Sequence, residues 1–145
     1  MSKRFETEAD LQREEKAIKL WTKSQPEKCY EKLGKYEIDY RVFSHKSNAY
    51  AYVEVKGRHK KVDEACPLPI AARKLVKIYD AMNRDVEATK AYIIWACEDG
   101  ILVGDVEVLI GKSKVWGRPP REGSSNDKEV MVYYDVQKGL KKTMY

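Results

Sequence analysis

The chain has 145 residues, 43% of them hydrophobic and 35% charged, which is the profile of a globular domain able to bury its own core and excludes a disordered chain. No apolar run approaches the roughly 20 residues of a membrane helix, and the start "MSKRFETEAD" lacks a signal-peptide stretch, so a cytoplasmic protein without a membrane partner is expected. Lys and Arg outnumber Asp and Glu by 28 to 23, a formal charge of +5 that suits a polyanionic partner and serves solubility equally well.

Residues 7–23 read as a helix: Thr7 and Asp10 resemble a capping box, and acids crowd the first turns, where the helix dipole favours them. Leu11, Ile18 and Trp21 form one apolar stripe with Ala17 at its edge; Glu14 falls in the middle of that stripe and Glu15 on its flank. "CYEKL" (29–33) and "KYEIDYRVF" (35–43) read as strands. In the second, Ile38, Tyr40 and Val42 share one face and Glu37, Asp39 and Arg41 the other. After a turn at 44–48, "AYAYVEVKGR" (49–58) returns as a strand. Ala51, Val53 and Val55 point one way; Tyr50, Tyr52, Glu54 and Lys56 point the other.

Residues 67–85 predict a helix with prolines at its start and Ala71, Leu75, Ile78 and Met82 at helical spacing. The almost unbroken apolar run 90–98 suits a strand covered on both faces, and 100–110 adds one or two strands. A basic, turn-rich loop (111–128) and a Tyr-rich strand (129–136) follow. Three cysteines without a CxxC pair indicate thiols in a reducing compartment, and two isolated histidines make no zinc site. Helix, strands, helix, strands implies an α/β or α+β sheet with helices packed on it, one domain over 1–145.

Glu54 and Lys56, two apart on one strand face, read either as a solvated ion pair or as part of a metal site. Neighbouring strands lie about 4.8 Å apart, so Asp39 and Glu54 can converge at one end of their hairpin. Two carboxylates that close raise each other's pKa unless a divalent cation neutralises them, and Mg2+ takes one or two carboxylates together with water and phosphate. Lys56 could then orient or deprotonate a water, or stabilise charge on the phosphate. Glu14 or Glu15 could complete the shell, although a helix glutamate is more often simply solvated.

The order of acid helix, strand, strand with Asp39 in "YEIDYRV", strand with Glu54-Val55-Lys56 in "YVEVKGR", helix and strand resembles the PD-(D/E)XK nuclease superfamily. Ile38 stands where that superfamily usually has proline before the motif aspartate. The resemblance covers residues 7–98, leaving 99–145 as a C-terminal extension, and extends to small nuclease-like proteins of bacteriophages. It implies the restriction-endonuclease-like fold, a central mixed β-sheet flanked by helices in the order α-β-β-β-α-β. It further implies catalytic Asp39, Glu54 and Lys56, with Mg2+ or Mn2+ held by Asp39, Glu54, the Val55 backbone carbonyl and Glu14, Glu15 being the fallback.

Arg58, Lys60 and Lys61 beside the motif, Lys74 in the second helix, and Lys112, Lys114, Trp116, Arg118 and Arg121 in the late loop are candidate DNA contacts, because cations and an aromatic ring suit phosphates and bases. Two have a plainer reading, a solvated helix face for Lys74 and a core-packed ring for Trp116. The expected function is a divalent-metal-dependent nuclease acting on DNA. The alternatives are a non-catalytic nucleic-acid-binding or assembly protein on the same fold, and a resolvase-like junction endonuclease, which would act as a homodimer.

Overall fold

The acid-led first segment forms α1 (Glu8–Lys23), with Ala17, Ile18 and Trp21 buried at the spacing of one helix face. Leu11 is exposed, so the buried stripe is shorter than the apolar pattern suggested. The computed structural model describes residues 8–23, 28–34, 38–44, 49–107, 112–116, 129–134 and 140–145, with only the backbone described at 112–116 and Glu129. Thr7 and its capping box, the turn at 45–48, and Arg118 and Arg121 lie outside the described residues.

Strands β1 (Lys28–Lys32), β2 (Tyr40–Ser44) and β3 (Tyr50–Gly57) follow as an antiparallel set. β4 (Leu68–Ala71) then leads into α2 (Ala72–Arg84), after which come β5 (Ala88–Ala96), β6 (Gly100–Asp105), β7 (Lys112–Trp116), β8 (Glu129–Tyr134) and β9 (Leu140–Met144). Six strands form the central sheet in the order β1-β2-β3-β5-β6-β9, and β4-β8-β7 form a second, three-stranded sheet. The β3–β5 pair is parallel and its neighbours are antiparallel, so the central sheet is mixed.

Both faces of the central sheet are covered, as the apolar run of β5 predicted. On one face α1 packs Ala17, Ile18 and Trp21 against Tyr40, Val42, Val53, Val55, Ile94 and Val103. On the other, Ile78 and Ala81 of α2 join Leu68, Ile70, Ile93, Trp95 and Leu102. The Trp95 indole donates to the Pro69 carbonyl at 2.9 Å, tying β4 to the central strand.

Four expectations require correction. The predicted helix at 67–85 starts only at Ala72, and Leu68–Ala71 is a strand. Pro67 and Pro69 disfavour helical backbone in the residues before them, which leaves Leu68 and Ile70 to alternate inward as strand residues. The stretch 111–128 is not all loop, since Lys112–Trp116 pairs with β8. The tail 140–145, read only as a basic cluster, adds β9 to the sheet edge beside β6. Ile38 precedes β2 and packs in the α2-side core, while Tyr40 and Val42 pack toward α1. The chain therefore changes sides at Asp39, between the two layers. That placement sets up the site.

Candidate active site

β2 begins at Tyr40, whose partner is Val53, so β3 runs past the end of its neighbour. Asp39 fills that gap. Its Oδ2 accepts the Val55 backbone N–H at 2.8 Å, an amide that would otherwise lack a strand partner on that edge. In an extended residue the N–H and C=O point to the same strand edge, so the Val55 carbonyl faces the same gap.

Glu54, one residue before Val55, is buried on the α2 side of the sheet. Lys74 of α2 reaches it, with Nζ 3.3 Å from Oε2. Burial, and next the negative charge of Asp39, push the Glu54 carboxyl up to about 7; Lys74 pulls the other way. The two carboxylates sense each other across the strand end.

Glu14 enters from the opposite layer. The Lys32 ammonium, at the end of β1, lies 3.0 Å from Glu14 Oε1 and 3.6 Å from Asp39 Oδ1. The two acids therefore lie within the reach of one cation. Both are mostly shielded, each side chain being 13% exposed. The buried Tyr40 hydroxyl reflects the same field, its pKa raised first by burial and then by Glu14 and Asp39. Glu15 points away and pairs with Lys19 on the helix surface. Lys56 is exposed near the end of β3, on the Glu54 face by strand alternation.

The basic residues separate. Arg58 donates from Nε to the Ala65 carbonyl at 2.9 Å and from Nη2 to the Pro67 carbonyl at 3.2 Å, so much of its guanidinium holds the loop before β4. Lys60 and Lys61 have exposed side chains on a pinned backbone, their carbonyls accepting the amides of Glu98 and Glu64. Lys74, expected to meet phosphate, is engaged with Glu54. Lys112, Lys114 and Trp116 lie on β7 in the second sheet, their side chains outside the description. Sequence reasoning passed over Lys32. Its signal was its place in the strand that pairs with "DYRVF", a register that the intervening loop concealed.

The donors here are hard oxygens, and ammonium groups already rest against Asp39, Glu14 and Glu54, so positive charge is favoured at each. Among the described residues, no three His, Cys, Asp or Glu side chains are grouped closely enough to hold a metal ion between them. Asp39, Glu54 and the Val55 carbonyl still fit a cation that keeps most of its coordination for water and phosphate, as Mg2+ does.

Residues 1–141 match the family described as "Phage putative PDDEXK endonuclease". Comparison with curated protein sequences gives no match. Among solved structures the chain is similar to Hjc, a Holliday junction resolvase from the archaeal hyperthermophile Archaeoglobus fulgidus, with 14% identity and a TM-score of 0.50 over 83% of this chain and 86% of that one. At that identity the likeness concerns the fold, and it supports the restriction-endonuclease-like arrangement of a mixed sheet between helices. No helix among the described residues is long and apolar enough to cross a membrane.

Proposed function

The chain belongs to the phage PDDEXK endonuclease family, and on that premise we propose that it is a divalent-metal-dependent nuclease that hydrolyses phosphodiester bonds in DNA. The observation that carries the proposal is the anchoring of Asp39 on the Val55 amide beside the buried carboxyl of Glu54. A buried acid beside a largely shielded one is costly to keep, and the pair suits a site that receives positive charge.

In this reading Asp39, Glu54 and the Val55 carbonyl hold Mg2+ or Mn2+, and Glu14 supports the shell from α1. When bound, the cation supplies charge neutralisation and Lewis acidity at the phosphate. The residues supply the rest. The Val55 N–H fixes one oxygen of Asp39, so its other oxygen has a defined direction. Glu54, with a carboxyl value of about 7, can be protonated or ionised near neutrality and so can match the charge that enters. Lys56 orients or deprotonates the attacking water, or stabilises negative charge on the phosphate. Lys60 and Lys61 grip the DNA backbone alongside. The protein would act in the host cell's cytoplasm, as a phage nuclease does.

The test is incubation of the protein with linear, circular, single-stranded and branched DNA in Mg2+, Mn2+ or EDTA. Cleavage of a closed circle that EDTA abolishes is the expected result. Preference for a branched substrate would instead favour the junction-cutting homodimer. Binding without cleavage on every DNA and RNA form would instead favour a nucleic-acid-binding protein with a lapsed site.

A further inference from the structure

We propose that Lys32 is the displaceable internal counter-cation of this site: its ammonium holds Glu14 and Asp39 in the metal-free protein and leaves when a divalent cation binds. The inference rests on the metal-binding reading above and adds a residue to it.

Lys32 reaches two carboxylates from different elements, one on α1 and one just before β2. Both carboxylates are largely withdrawn from water and face the same ammonium, so Lys32 balances their negative charge at that spot. A divalent ion on Asp39 and this ammonium would repel each other at such short range, so the two occupy the position in turn. Lys32 can leave at little cost. It lies at the end of β1, the edge strand of the central sheet, and its side chain is 43% exposed. Its long stem lets the ammonium move into water without burying a charge. It also lies 4.9 Å from the centroid of the Tyr40 ring, so the same ring marks its resting place. Lys74, on α2, pairs instead with Glu54.

The experiment is a Mn2+ titration of the whole protein without DNA, by calorimetry or electron paramagnetic resonance, comparing wild type with Lys32→Gln, Lys32→Ala and Asp39→Asn. Losing a competing, partly exposed ion pair should tighten Mn2+ binding roughly fivefold in both Lys32 variants. Thermal melts should show that they are folded, with a lower Tm when metal-free and a larger rise on adding Mn2+. If they are folded and bind Mn2+ no more tightly than wild type, while Asp39→Asn binds more weakly, the Lys32 proposal falls and the metal reading stands. If neither wild type nor the Lys32 variants bind Mn2+, both fall.

Discussion

The two faces of the central sheet are built differently. Toward α1 the packed side chains are apolar, with Ile18, Val53, Val55 and Ile94 filling the interface. Toward α2 an equally apolar cluster of Ile78, Ile93 and Trp95 carries a buried glutamate on the same face. Apolar burial is the main favourable term in folding, whereas a buried carboxyl must be neutralised, paired or left protonated. Glu54 does some of each: it has Lys74, and its carboxyl is raised to about 7. The α1 face is built mainly for stability, and its site acid, Glu14, is shielded but not fully buried. The other gives up some stability at one residue, and that residue stands at the candidate site.

The contrast can be broken most strongly on the α1 face. Ile94→Ala removes a fully buried side chain opposite α1 and should cost about 2–5 kcal/mol in denaturant unfolding, through lost burial and the cavity left behind. A smaller cost is expected at the sheet edge. A Cβ on Gly100 would lie 2.5 Å from the Thr143 backbone oxygen, so Gly100→Ala must push β9 away, at about 1–3 kcal/mol by the usual cost of overpacking. Cleavage per folded molecule should be retained in that variant, because β6 and β9 are remote from Asp39 in the strand order.

Glu54→Gln should reverse the pattern, losing cleavage while stability at neutral pH holds or rises. The sign follows from proton linkage. Because the folded carboxyl is raised above its unfolded value, the native state binds the extra proton between the two, and stability falls as pH rises from about 4.5 to about 7. Above that range this contribution no longer changes. Urea melts of metal-free wild type should show the slope, and Glu54→Gln should flatten it; equal slopes would remove the buried-carboxyl account. The smallest effect is expected at Glu15, whose partner is on the helix surface. Glu15→Gln should change cleavage by less than about twofold, since exposed ion pairs contribute little.

Much of this arrangement was legible in the sequence, for identifiable reasons. Period-two alternation in 49–58 placed Glu54 opposite Val53 and Val55, and the structure keeps that division. The apolar run of β5 announced a central strand, and the stripe on α1 carried Glu14 inward while leaving Glu15 outside. What failed depended on contacts distant in sequence. Ile38 fitted the alternation of Tyr40 and Val42, yet the chain leaves the strand before reaching it and packs it on the other side. Ala71 fitted the helical period of α2 but ends β4, because Pro69 and the pairing with β8 extend the backbone there. Lys32 looked like any surface lysine, and Lys74 read as a DNA contact or a solvated helix residue. Only the β1–β2 register and the seat of α2 bring them to the acids.

The central claim is that Asp39, fixed by the Val55 amide, and Glu54 form a metal-dependent cleavage site. Its most direct test is the single-turnover rate of circular-DNA cleavage by Asp39→Asn in Mg2+, beside a thermal melt of the same sample. Asparagine keeps the size of the side chain and an oxygen for the Val55 N–H but removes the charge. The account predicts a folded protein that still binds DNA, or binds it more tightly as repulsion of the phosphate falls, and whose cleavage is lost. Cleavage at the wild-type rate by folded Asp39→Asn would contradict it.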